Sequence, residues 1–300
     1  MQGLTLALLA CLCVSVNYIT GKLGVTGFGP DSFSLVWITA AAVYTLAAVL
    51  ATGRTRQLRL PRAVWGRVLA LGVLTGLQMI LFWWSLDLLD APFAAFLGRF
   101  EPALTILLAG LLLGERLQFR EGLAIGVMIV GGSLSTAGVW QEVGLGVLLV
   151  MLASLTMSLQ FVLGKNLVAG VHPGIMVFYR AAIASAMMFL WVAGPGEARF
   201  DVAPFYWGMT LFGAFLGPFV GYTLLFHSYR FWDVTRTAMV MTLQPLFVLP
   251  LGLIFLPEQG LSSRQLLGGL LILAGALWLI AIHRAHGADG RRTPATVSED

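Results

Sequence analysis

Charged and amide side chains are scarce in this chain, and the informative ones interrupt long apolar runs. Arg99 and Glu101 sit two residues apart within the apolar stretch 91–114, where a charge facing lipid costs roughly 2.5 to 3.5 kcal/mol. On a helix an i, i+2 pair points about 200° apart, so the two do not simply neutralise each other. Each needs a partner on another helix, or a hydrated cavity. The chemistry on offer is ion recognition: Arg99 can anchor an anion or carboxylate, and Glu101 can contact a cation or carry a proton. A structural ion pair with a neighbouring helix is the alternative. Asn17, Gln78 and Gln160 place amides in three further apolar runs. All should point inward, either to meet a polar solute or to hold helices together. Arg180 lies about two turns inside the stretch 174–194, near enough to its end to snorkel or to meet a carboxylate. Trp83, Trp84, Tyr18 and Tyr222 offer stacking surfaces, although helix packing and interfacial belts use the same residue types. Mid-run prolines complete the set: Pro102, Pro245, Pro250 and the Gly217-Pro218 pair. Each proline removes a backbone hydrogen bond, which frees a carbonyl to line a cavity or lets the helix bend; a packing kink without a ligand role is the other reading.

The elements that position these side chains must be membrane helices. Hydrophobic residues make up 58% of the 300 residues and charged residues 11%, with a mean hydropathy of +0.88, so water is not the main solvent. A span needs about 20 apolar residues, so ten fit with short connections and little is left for a soluble domain. Hydropathy places them near 3–21, 32–52, 64–86, 91–114, 122–136, 144–165, 174–194, 204–229, 233–256 and 266–283, with Gly, Pro and charges between. The first is read as a retained helix rather than a signal peptide. The net charge of +4 collects in loops, as in membrane proteins, and argues against nucleic acid as a partner. Cys11 and Cys13, two residues apart, face different sides of a helix, so no disulfide or metal site follows. Phosphate loops, metal-ligand clusters and nucleophile–base arrangements are missing from the sequence, so neither an enzyme nor a cofactor is expected.

Basic residues give the orientation. Arg54, Arg56, Arg59, Arg62, Arg67, Arg116, Arg120, Lys165, Arg230, Arg236, Arg284, Arg291 and Arg292 fall on one side, against Lys22, Arg199 and Arg264 on the other. That bias puts both termini in the cytoplasm of an expected bacterial inner membrane, with the polar tail 287–300 disordered. Lys22 and Lys165 close the first and sixth spans at opposite faces, as snorkelling anchors or gate residues. Gly122-x-x-x-Gly126 and Gly268-Gly269 permit close helix approach, between the fifth and tenth spans or at a homodimer face.

Self-comparison at one shift of 143 residues, without gaps, aligns Gly21-Lys22 with Gly164-Lys165, Pro30 with Pro173, Pro61 with Pro204, Ser85 with Ser228 and Asp90 with Asp233. It also aligns Pro102 with Pro245, Glu115 with Glu258, Gly126 with Gly269 and Gly132 with Gly275. The chain thus divides into repeats 1–138 and 143–285. Five spans is an odd number, so the second half enters the bilayer from the opposite side. Two inverted five-helix halves enclose a midplane site whose access can alternate between faces, which implies transport of a small solute. The polar chemistry is not repeated: Thr242 and Gln244 stand where the first half has Arg99 and Glu101.

These residues resemble the drug/metabolite transporter superfamily, specifically its ten-span EamA-type members. The resemblance covers about residues 3 to 283. It is carried by Asn17-Tyr18-Ile19-Thr20-Gly21-Lys22-Leu23-Gly24, by Glu101-Pro102, by Leu113-Gly114-Glu115-Arg116-Leu117 and by Gly126 to Gly132. The second half answers with Gly164-Lys165, Gln244-Pro245, Leu256-Pro257-Glu258 and Gly269 to Gly275. The resemblance implies secondary transport or facilitated efflux of metabolites such as amino acids, through a cavity lined by spans one, three, four, six, eight and nine. Two positions depart from the pattern: Pro257 replaces a Gly, and Trp37 in the first half faces Arg180 in the second. The expected substrate set is Arg99, Glu101, Gln244, Asn17, Gln160, Gln78, Trp83, Tyr222 and Arg180, with Glu101 the residue to carry a proton if protons drive transport. The rival readings are a carrier of organic cations or drugs with Glu101 as counter-ion, and a non-transporting scaffold or lipid scramblase.

Overall fold

A computed structural model describes residues 2–101, 103–104, 107–108, 119–136, 140–167, 170–228, 231, 240–256 and 261–289. Every described regular element is helical. The helices are α1 (Gln2–Phe28), α2 (Pro30–Ala51), α3 (Arg62–Leu88), α4 (Ala91–Leu97), α5 (Phe119–Thr136), α6 (Trp140–Leu167), α7 (Pro173–Ala193), α8 (Pro204–Ala214), α9 (Tyr222–Ser228), α10 (Gln244–Phe255) and α11 (Ser263–Asp289). A π-helical segment, Phe215–Gly221, joins α8 to α9. Proline in the first turn starts α2, α4, α7, α8 and α10, where its missing N–H costs nothing. Gly29, at φ +75°, supplies the left-handed corner between α1 and α2.

Among the described residues, seven helices are long and apolar enough to cross a membrane: Gln2–Phe28, Pro30–Ala51, Arg62–Leu88, Val143–Gln160, Pro173–Ala193, Pro204–Ser228 and Ser263–Ile282. The chain is an integral membrane protein by this measure. The expected count of ten is not reached among the described residues: the fourth and ninth spans are described only in part, and α5 does not qualify. Pro102 and the motif 113–117, with Pro257 and Glu258, lie outside the described residues. Helix α11 runs through Asp289, so the first three residues of the stretch expected to be disordered are helical, and 290–300 lie outside the described residues.

The burial pattern is that of a bundle in lipid. Outward faces carry exposed Leu, Phe and Ile, such as Phe189, Leu190 and Ile254, while many buried positions are Ser, Thr, Asn, Gln or Arg. Helices α5 and α11 pack backbone to backbone: a methyl on Gly268 would strike Ser135 and the Gly131 carbonyl, and one on Gly275 would strike Met128. The close approach between fifth and tenth spans is therefore present, but Gly131 makes it, whereas Gly122 and Gly126 face open space.

The ends of the helices fix the faces of the bundle. Arg54 Nη1 lies 2.9 Å from His172 Nε2 at the start of α7, while the Arg199 N–H, beyond the end of α7, donates to Ser32 Oγ at 2.7 Å. Arg54 and Arg199 thus stand at opposite faces. Helix α1 ends at the Arg199 face, where Lys22 Nζ meets the last carbonyls of α3. Near the start of α6, Gly146 packs on Leu88 and Leu89 at that same face, and Leu167 at its end joins Val49 in a buried cluster at the other. Helices α1 and α6 therefore run in opposite directions.

Candidate functional site

The site is built where two helices lose their regularity. After α4, whose seven residues are all buried, the chain tightens into a 3-10 turn over Gly98–Phe100 that carries Arg99. On the facing segment a turn at Thr242–Leu243 precedes α10, and Pro245 stands in its first turn rather than in mid-helix as its sequence position suggested. Pro245 has no N–H to give to the residue four before it, Met241. That carbonyl accepts instead from Arg99 Nη1 at 2.7 Å, and Arg99 Nη2 donates to Gln244 Oε1 at 2.9 Å. The freed carbonyl does line the site, and its user is the arginine.

Arg99 is 8% exposed, and its Nε, fully enclosed, has no hydrogen-bond partner among the described residues. Its guanidinium makes no ion pair with a described residue. Glu101 is half-buried and within electrostatic range of Arg99, and its backbone carbonyl accepts from Ser158 Oγ at 3.0 Å. Tyr18 from α1 brings its hydroxyl beside Gly98, within electrostatic range of Arg99, with its ring edge-on to Phe82. The hydroxyl is a contact that the stacking interpretation of Tyr18 missed.

A second polar group gathers on α3, α6, α7 and α9. Arg180 Nε donates to Thr75 Oγ1 at 2.8 Å, and Thr75 Oγ1 lies 2.8 Å from Gln160 Oε1. Thr75 Oγ1 is also 2.7 Å from the Leu71 carbonyl, so its one proton serves either acceptor. Gln160 Nε2 donates to the Leu74 carbonyl at 3.4 Å. The Arg180 guanidinium carbon stands 4.1 Å over the Tyr222 ring. Arg180 therefore neither snorkels nor meets a carboxylate among the described residues. Thr75 could not be singled out in sequence, because a lone threonine in an apolar helix usually bonds back to its own helix.

The remaining expected residues serve the bundle. Asn17 Oδ1 accepts from Trp37 Nε1 at 3.0 Å, and the Asn17 side chain occupies the space beside Gly213 and Gly217. Gly217 and Pro218 lie in the π-helical segment, whose wider turn accommodates the proline, and Gly217 lets the chain approach Asn17. Trp83, 2% exposed, packs against Phe33, Trp37 and Phe82 and over Gly21, in the hydrophobic core. Gln78 is half-buried and bonds to none of the described residues, and Pro250 is exposed on the outer face of α10. Lys22 does not snorkel: its buried ammonium donates to the Leu86, Asp87 and Leu89 carbonyls, capping α3. Asp31, unremarked in sequence, is 5% exposed and accepts from Trp84 Nε1, Trp191 Nε1 and the Glu197 N–H, each at 2.9 Å. It straps the segment after α7 onto the start of α2.

An EamA-like transporter family matches residues 1–137 and again residues 144–281, nearly the whole chain in two copies. The chain belongs to the EamA-like transporter family. An uncharacterized transporter from Archaeoglobus fulgidus is 25% identical to this EamA-like protein over 210 residues, covering 70% of this chain and 74% of the relative. A protein of known crystal structure superposes with a TM-score of 0.65 at 20% identity, over 94% of this chain and 97% of that one, and shares the fold. Family and relative together make this a membrane transporter.

Proposed function

We propose that this EamA-like protein is a secondary transporter that exports small polar metabolites bearing a carboxylate, amino acids foremost, by alternating access between two inverted five-span halves. Ten spans, an inner-membrane location and cytoplasmic termini belong to the same reading. The antiparallel course of α1 and α6 supports it, as do the two separate family matches. The observation that carries it is Arg99: a guanidinium buried at the α4–α10 seam, with one nitrogen unsatisfied and no carboxylate paired to it among the described residues. An unsatisfied buried donor costs about 1 to 3 kcal/mol; because that nitrogen is enclosed here, a substrate carboxylate recovers the cost only as the seam opens in the alternating cycle, when it can pair with the guanidinium. Gln244 and Tyr18 stand at hand to orient that group, and Glu101 to receive a cationic or protonated partner.

Counterflow of labelled amino acids in proteoliposomes tests this. Arg99→Gln abolishes exchange and Arg99→Lys retains part of it; full exchange in Arg99→Gln would refute the assignment. Glu101→Gln sets the cation reading apart, since it loses cationic substrates and keeps zwitterions only if Glu101 is a counter-ion.

One observation favours the lipid reading. A lateral groove of about 920 Å³ between α2, α7 and α8, lined by residues such as Val43, Tyr44, Phe189 and Leu211, opens toward lipid. None of its lining residues is ionisable except Tyr44, which suits an acyl chain rather than a headgroup. Lipid scrambling by liposomes holding the purified protein, unaffected by Arg99→Gln, would favour that reading over export.

A further inference from the structure

The carboxylate site at Arg99 leaves a second buried cation unexplained. Arg180 is 9% exposed, its Nε is committed to Thr75, and its two terminal nitrogens donate to no described residue. Neither terminal nitrogen is sealed off as Arg99 Nε is, so both keep some accessible surface through which a ligand can reach them. The Tyr222 ring at 4.1 Å offers an attraction without a negative charge, and the Thr75–Gln160 pair holds the arginine in place without neutralising it. An arginine cannot shed its proton to relieve burial. A fork of donors aimed into a space with no fixed anion is how proteins receive carboxylates and phosphates.

Position ties this group to the first site. Tyr18 is within electrostatic range of both Arg99 and Tyr222, and the Tyr222 ring lies against the Arg180 guanidinium. Tyr18 and Tyr222 thus connect the surroundings of the two arginines. The repeat shows that the fold does not require a charge there. At the matched position of the first half stands Trp37, whose neutral indole N–H satisfies Asn17, the counterpart of Gln160. Polar anchoring of the sixth-span amide has been kept, and a positive charge has been added.

We infer that Arg180, held by Thr75 and Tyr222, is a second anion subsite, and that the substrate carries two anionic groups, one for each arginine: a dicarboxylate or a phosphorylated acid. This rests on the reading of Arg99 as the first anion anchor. The discriminating chemistry is charge number. A monocarboxylate can engage only one arginine at a time, whereas a dianion engages both.

Binding to purified protein in detergent, followed by calorimetry, uses lactate as the single-charge probe and succinate, malate and phosphoglycolate as double-charge probes, each with two anionic groups. Native protein binds at least one double-charge probe about tenfold or more tighter than lactate, the equivalent of one added charge-assisted contact. Arg180→Gln brings that probe to within about threefold of lactate and leaves lactate itself unchanged, while Arg180→Lys keeps part of the preference. Thr75→Val, which keeps the charge and releases its orientation, weakens the double-charge probe only. A preference that survives Arg180→Gln overturns the second subsite and leaves the first standing. Binding of all probes unaffected by Arg99→Gln overturns the first site instead. No preference for any double-charge probe in native protein overturns the dianion assignment.

Discussion

Replacing Gln244 by glutamate separates a ligand-binding Arg99 from a merely structural one. The Gln244 Oε1 already accepts from Arg99 Nη2 at 2.9 Å with both residues buried, so an isosteric carboxylate enters without rearrangement. The present bond already joins a charged guanidinium to a neutral amide, a class that contributes about 1.5 to 3 kcal/mol, and a carboxylate acceptor adds on the order of 1 to 2 kcal/mol of ion-pair attraction net of desolvation. The same carboxylate then occupies the charge that a substrate would meet. A ligand that must displace it loses at least that much, which is about 5- to 30-fold in affinity. The assay is paired: thermal unfolding in detergent, and counterflow at pH 8, where the introduced carboxyl is ionised. The expected result is stability equal to or above native with apparent affinity for the anionic substrate lowered by tenfold or so. Raised stability with unchanged affinity would refute the argument, since Arg99 would then be a structural node alone.

Other consequences follow from the packing. Lys22→Met removes the ammonium from the carbonyls that end α3, and unfolding should show a loss of about 2 to 4 kcal/mol, with Lys22→Arg less affected. Gly217→Ala drives a methyl into Asn17 and should cost about 1 to 3 kcal/mol with weakened transport, whereas Gly122→Ala, facing open space, leaves both unchanged by the same assays. Asp31→Ala strands two indole N–H groups and one amide, so limited proteolysis should open the segment 195–203 while the native protein resists.

Hydropathy and the 143-residue shift made the helical class and the order of elements legible, because lipid leaves the backbone no alternative to helices. The same property hid the breaks. A proline in an apolar run reads as mid-helix, and only the structure shows α10 beginning at Gln244 with a turn before it. The partner of Arg99 was half legible: an i, i+2 pair with Glu101 had to look elsewhere, and Pro245 had to free a carbonyl, but nothing in the sequence joined that carbonyl to Arg99. Arg180 and Gln160 were visible as polar intruders, but Thr75 between them was not, since a threonine hydroxyl ordinarily bonds its own helix. Lys22 misled for a related reason. A lysine at a span end usually reaches outward, and here α3 ends close enough to turn it inward.

The most direct measurement is where a carboxylate comes to rest. An experimental structure of the protein saturated with 3-bromopropionate, located by the anomalous signal of bromine, should place the acid at the seam of α4 and α10, its oxygens within about 3 Å of Arg99 nitrogens. A carboxylate bound away from Arg99, with that side chain still satisfied only by Met241 and Gln244, would contradict the account.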